Sequence, residues 1–149
     1  MSTKPFNLAV RAVIVDEQGR CLLIRRSAHN RNFVGTWEWP GGKADPGETF
    51  DVAVRREVAE EAGLQLELTG VAGAFHIEMP QMHLAVLCME AKVCGGELRL
   101  SEEHDESAWV PLSELPKWNL TAGFREFAET YAKKNLTSEA HQQTKGART

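Results

Sequence analysis

The stretch from Gly42 to Leu64, GKADPGETFDVAVRREVAEEAGL, constrains this chain more than any other. Asp45-Pro46-Gly47 is turn chemistry, because Pro presets φ and Gly accepts a positive one. Thr49 is the expected N-cap, with Glu48 beside the positive end of the helix dipole. Helix formers run to Ala62, and Gly63 is a natural C-terminal stop. Phe50, Ala53, Val54, Val58 and Ala62 recur at helical spacing, which predicts a stripe docked on a core.

Glu57, Glu60 and Glu61 are spaced i, i+3, i+4 and converge within one turn, inside or beside that stripe. Like charges so placed repel one another, and carboxylates resist desolvation. Arg56 reaches Glu60 at i+4, but one guanidinium cannot neutralise three acids. A divalent cation can. Oxygen ligands without His or Cys in the helix select Mg²⁺, with Mn²⁺ as substitute, rather than zinc. A solvated acidic face is the ordinary meaning of such a string taken alone.

The full spacing decides between the two. Gly42, five residues, Glu48, seven residues, Arg56-Glu57, apolar Val58, one residue, Glu60-Glu61, one residue, Gly63 and apolar Leu64 resemble the Nudix hydrolase signature without departure. Seven fixed identities arise by chance about once in a hundred million or more rarely, so the solvated reading gives way. The resemblance implies Glu57 and Glu61 as principal metal ligands and Glu60 as a supporting ligand or base. It also implies the Gly41 carbonyl as a further ligand and Arg56 as the residue that orients the carboxylates.

The same resemblance extends to a distal acidic loop, SEEHDES at 101–107. Glu103, six residues before Trp109, matches the distal glutamate of MutT-type members, as metal ligand, base or both. Glu102 and Glu106 are rivals, and His104 reads as a surface or hydrogen-bonding residue. For substrate, Arg26 at the end of a strand, Trp39 as a stacking ring and Asn119 as a reader of a purine edge are the candidates. Each has a plain alternative: strand-end charge, core aromatic and helix cap, with Thr121 competing for the cap. Pro80, 16 residues after Leu64, matches a proline associated with ADP-ribose-hydrolysing members, and is otherwise a turn.

Around this core the chain reads as one domain, 1–135, followed by a disordered tail, 136–149. Residues 7–16 and 20–25 are expected as the two strands of a hairpin, and Trp37 to Trp39 as a short strand. An extended segment, 65–78, has bends at Gly70 and Gly73; a strand follows at 82–93, with 97–100 as its hairpin partner. A strand at 108–112, a helical turn at 113–115 and a helix at 121–134 close the domain. Strands on both sides of one helix, with a second helix at the end, predict an α+β fold, an αβα sandwich with a mixed central sheet.

The 149 residues suffice for a core, and a net charge of −4 disfavours a nucleic-acid polymer or a membrane as partner. Three cysteines without metal-ligand spacing read as reduced thiols, and no signal-peptide pattern opens the chain. The expectation is a cytoplasmic, Mg²⁺-dependent enzyme, monomer or homodimer, acting on a small-molecule nucleotide. A nucleoside triphosphate, including an oxidised purine, is the first substrate implied, and ADP-ribose or another nucleoside diphosphate derivative the second. A non-catalytic nucleotide-binding module is the rival class, disfavoured because all three helix glutamates are intact.

Overall fold

Alternate residues of the first strand, β1 (Phe6–Ile14), feed two different cores. In this computed structural model the backbone is described for residues 3–146 and the side chains for residues 3–135. Val10, Ala12 and Ile14 pack with Ala53, Val54, Val58 and Ala62 of the first helix, α1 (Phe50–Ala62). Ala9 and Val13 pack on the opposite face with Phe124, Ala128 and Tyr131, at and within the second helix, α2 (Arg125–Gly146). This is the period of two expected of a strand buried on both sides. Each fully buried Val or Ile contributes about 1.5–3 kcal/mol relative to exposure, so these faces clamp the helices to the sheets.

The remaining strands are β2 (Arg20–Arg26), β3 (Trp37–Glu38), β4 (Gly41–Lys43), β5 (Leu64–Met79), β6 (Met82–Gly96) and β7 (His104–Pro111). One sheet has the order β4-β1-β6-β5, with β1 and β6 parallel and the other pairs antiparallel. A second, antiparallel sheet has the order β3-β2-β7. The expected αβα arrangement with a mixed sheet is what the chain forms. The bends expected at Gly70 and Gly73 are present as register shifts in the β5–β6 pairing.

Several local expectations need correction. β1 and β2 are not hairpin partners: only Val15 and Cys21 bridge, and the two strands then diverge into different sheets. The uninterrupted apolar run Leu22-Leu23-Ile24 is buried on both faces, so alternation could not signal its partner. Residues 97–100 form no strand. Arg99 N–H and Ser101 N–H instead donate to the Ala62 and Glu61 carbonyls, at 2.9 and 3.0 Å, satisfying orphan acceptors at the end of α1. Phe50 is exposed at the helix start, whereas the rest of its predicted stripe is buried.

Thr49 holds the N-cap backbone position without a side-chain cap bond, and Gly63 closes the helix in the left-handed conformation at φ 71°. α2 begins at Arg125, four residues later than its pattern suggests, because 121–124 turn first. Its backbone continues to Gly146, across residues expected as tail; residues 147–149 lie outside those described. Cys21 and Cys88 are buried free thiols, pushed up to about 12 by desolvation, and Cys94 is exposed. Among the described residues no helix is long and apolar enough to cross a membrane.

Candidate active site

The signature loop and helix meet through two glycines. A Cβ at Gly41 would lie 2.0 Å from the Val10 carbonyl oxygen, and one at Gly42 would lie 2.5 Å from Glu57 Oε2. Only glycine lets β4 sit this close to both β1 and the acidic face of α1. Gly41 N–H donates to Glu61 Oε2 at 3.0 Å, which fixes the buried carboxylate against the loop. The Gly41 carbonyl accepts from Arg11 Nη1 at 3.2 Å and keeps a second lone pair.

Arg56 organises the carboxylates around it. Its Nε and Nη2 donate to Glu48 at 2.7 and 2.9 Å, and its Nη1 donates to Glu57 at 3.0 Å and to Glu60 at 3.3 Å. The guanidinium, with the Asp45 N–H, holds the Glu48 carboxyl down at about 2. Glu48 thereby ties the turn at 45–47 to the helix. Glu57 is half-buried, and burial raises it despite Arg56.

Glu61 is different. It is 6% exposed, and among the described residues it makes no ion pair. Burial pushes its carboxyl up to about 7, against the pull of the Arg11 charge and the Gly41 N–H. Glu61, Glu103 and His104 each offer a ligand atom within 4.8 Å of the others. Glu57, Glu60, Glu61, Ser101, Glu102, Glu103 and His29 line one cleft of about 430 Å³. A buried carboxylate that makes no ion pair among the described residues, facing further acids across a cleft, fits a divalent ion with oxygen ligands.

Beneath the cleft lies a group that sequence reasoning missed. Glu38 is 1% exposed and meets Arg11 and Arg26 at 3.3 Å each, His104 Nε2 at 3.0 Å and Thr121 Oγ1 at 3.1 Å. Burial alone would raise its carboxyl, but Arg11, the His104 bond and Arg26 outweigh it and hold the group at about 2. Of the two roles expected for His104, surface or hydrogen-bonding, it takes the second: it is 4% exposed and bonded to Glu38 through Nε2, and its Nδ1 has no partner among the described residues. An acid between two tryptophans, Trp37-Glu38-Trp39, was the available signal.

The substrate candidates divide. Trp39 is fully buried, stacked 5.7 Å from Phe124 and edge-on to Phe127; it is core and offers no face to a base. Arg26 spends its donors inward, on Glu38, Asn30 Oδ1 and the Asn32 carbonyl, and so anchors the 27–36 loop. Asn119 is exposed, and its carbonyl accepts the Trp37 N–H at 2.8 Å. It stands well before α2 and does not cap it, nor does Thr121, whose hydroxyl is bonded to Glu38 and Thr36. Trp37, edge-on to Trp118 at 4.8 Å and 5.9 Å from the Arg25 guanidinium, is the part-exposed ring beside Asn119. Pro80 is in the turn between β5 and β6.

Layered helices and sheets hold a glutamate-bearing helix and its glycine loop at one cleft, a frame that the family match identifies as that of a hydrolase of phosphoanhydride bonds. The NUDIX domain model matches residues 5–131, and the chain belongs to that family. It is 32% identical over 126 residues to a MutT-like protein of Streptomyces ambofaciens, covering 85% of this chain and 72% of that one. It is 33% identical over 106 residues to an ADP-ribose pyrophosphatase of Methanocaldococcus jannaschii, covering 70% of this chain and 62% of that one. Among solved structures, the MutT protein of Methanosarcina mazei Go1 superposes with a TM-score of 0.81 at 34% identity, covering 91% of this chain and 99% of that one.

Proposed function

We propose that this protein is a Mg²⁺-dependent pyrophosphohydrolase that converts a nucleoside triphosphate and water to the nucleoside monophosphate and pyrophosphate. The observation that carries the reading is the convergence of Glu57, Glu60, Glu61 and Glu103 on one cleft, with Glu61 buried and without an ion pair among the described residues. In this reading Glu57, Glu61 and Glu103, with Glu60 in support and the free lone pair of the Gly41 carbonyl, hold the ions. When bound, Mg²⁺ neutralises the polyphosphate and stabilises the charge that develops at the cleaved bridge.

The chain's own residues do the rest. Arg56 fixes Glu57 and Glu60 in register. A carboxylate, Glu103 or Glu60, accepts a proton from the attacking water as the new P–O bond forms and the bridging P–O bond to pyrophosphate breaks. In this reading the part-exposed Trp37 ring stacks on the base and the neighbouring Asn119 reads its edge, with an oxidised purine triphosphate as the specific candidate. A cytoplasmic enzyme, monomeric or homodimeric, is part of the same reading.

A second reading, an ADP-ribose pyrophosphatase, is favoured by the methanogen relative. A product screen with Mg²⁺ separates the two. It would contain ordinary and oxidised nucleoside triphosphates, ADP-ribose and dinucleoside polyphosphates. Pyrophosphate from one triphosphate supports the first reading; nucleoside and ribose monophosphates from ADP-ribose alone support the second. Glu61→Gln should abolish either activity in a folded protein. Glu103→Gln should lower kcat about a hundredfold while KM changes little, and Glu102→Gln should be near neutral. No turnover with a folded, Mg²⁺-binding protein would overturn both.

A further inference from the structure

At the turn of the β5–β6 hairpin, two imidazoles converge on one carboxylate oxygen. His76 Nε2 lies 3.2 Å and His83 Nδ1 2.8 Å from Glu78 Oε2. The three ligand atoms fall within 4.8 Å of one another. The backbone dictates this: His76 and Glu78 alternate onto one face of β5, and His83 pairs directly with Glu78 across the ladder. The site is independent of the hydrolase reading and shares no residue with the acidic cleft.

We infer that His76, Glu78 and His83 form a binding site for a divalent transition-metal ion of borderline softness, with Zn²⁺ the first candidate. Two imidazoles and one carboxylate are a donor set for such an ion, and not for Mg²⁺. A tetrahedral ion with bonds of about 2.0–2.1 Å separates its ligands by about 3.3 Å. The two nitrogen-to-oxygen separations already stand near that value, so only the imidazoles must adjust. Solvent reaches all three side chains, which leaves a coordination position for water.

The surroundings steady the donors. Lys4 Nζ is bonded to the other carboxylate oxygen, Glu78 Oε1, and donates to the Met79 carbonyl at 3.1 Å, so Oε2 stays available. Phe6 stacks on the His83 ring at 4.6 Å, and the His83 backbone N–H donates to the Pro5 carbonyl at 2.9 Å. An ion here would bridge β5 and β6 beside their turn, where Lys4, Pro5 and Phe6 already bring the start of β1.

The test is a Zn²⁺ titration of the full chain in saturating Mg²⁺, read by calorimetry and by NMR of the histidine imidazoles. One equivalent should bind and shift the His76 and His83 resonances. His76→Ala and His83→Ala, surface changes that circular dichroism should find folded, should each weaken binding about tenfold or more and spare hydrolysis. Glu61→Gln should leave this affinity unchanged. The proposal is overturned if the two alanine variants bind like the parent, if only His104 shifts, or if no Zn²⁺ binds.

Discussion

His104 Nε2 lies 3.0 Å from Glu38 Oε2, with both side chains almost wholly buried under the acidic cleft. The pair joins β7 to β3 across the second sheet, and Arg11 reaches the same carboxylate from the first. One carboxylate therefore holds both sheets and the base of the distal loop in register.

Glu38 makes stability pH-dependent with a defined sign. Its folded value, about 2, is below the ordinary 4.5, so the stabilisation is complete above 4.5 and is lost as pH falls toward 2. The contribution is on the order of 3 kcal/mol. Urea unfolding of the parent and of Glu38→Gln should show the parent well ahead at pH 7. The gap should narrow as pH falls from about 4.5 toward 2, because the unfolded chain binds a proton there that the folded carboxylate does not. A pH-independent gap would remove Glu38 from the account.

Glu61 has the opposite sign. Its metal-free folded value is raised to about 7, so from 4.5 to 7 the folded chain keeps a proton that the unfolded chain has lost. Stability of the metal-free protein should fall as pH rises through that window. Glu61→Gln should therefore be more stable than the parent at pH 8 in chelator, by a few kcal/mol at most, and less responsive to added Mg²⁺. Equal melting temperatures in chelator would contradict this.

Arg56 touches Glu48, Glu57 and Glu60 at once, so its loss should loosen the whole acidic array. Arg56→Ala should lower kcat/KM about 10- to 100-fold and weaken Mn²⁺ binding measured by electron paramagnetic resonance. Arg56→Lys should recover little, because one ammonium cannot span Glu48 and Glu57 as the planar fork does.

The neighbouring tryptophans should separate the centre of the core from its edge. Trp39→Ala should cost about 3–5 kcal/mol, because its fully buried ring packs on Phe124 and Phe127. Trp37→Ala, a half-buried ring packed at the edge of the core against Trp118, should cost less stability than Trp39→Ala and raise KM for the nucleotide. Denaturation curves and initial rates on the same two preparations decide it.

Much of the glutamate-bearing helix could be read from the chain because its instructions are local. The glutamates at i, i+3, i+4, the turn at 45–47 and the Gly63 stop all lie within one continuous segment. What escaped reading depended on distant partners. The charge on Glu38 is tolerable only because Arg11, Arg26, His104 and Thr121 arrive from four other segments. Trp39 looked like a stacking platform because an aromatic before Pro-Gly-Gly carries no mark of the side it faces. The β1–β2 hairpin was misread because both strands are buried on two faces, and a continuous apolar run does not name its neighbour. Residues 97–100 were drawn into a strand by their flanking glycines, whereas the open carbonyls at the end of α1 claimed them.

β1 lies between β4 and β6, with Phe6 opposite His83 and Ile14 opposite Ala91. During synthesis the complete glutamate helix leaves the ribosome before one flank of the central strand has its mate. A nascent chain ending near Leu64 holds the whole signature with β1 open along one side. Such non-local parallel pairing is slow to form. Hydrolytic competence should therefore appear late and abruptly, once β6 has zipped in and β7 has brought Glu103 and His104 to the cleft.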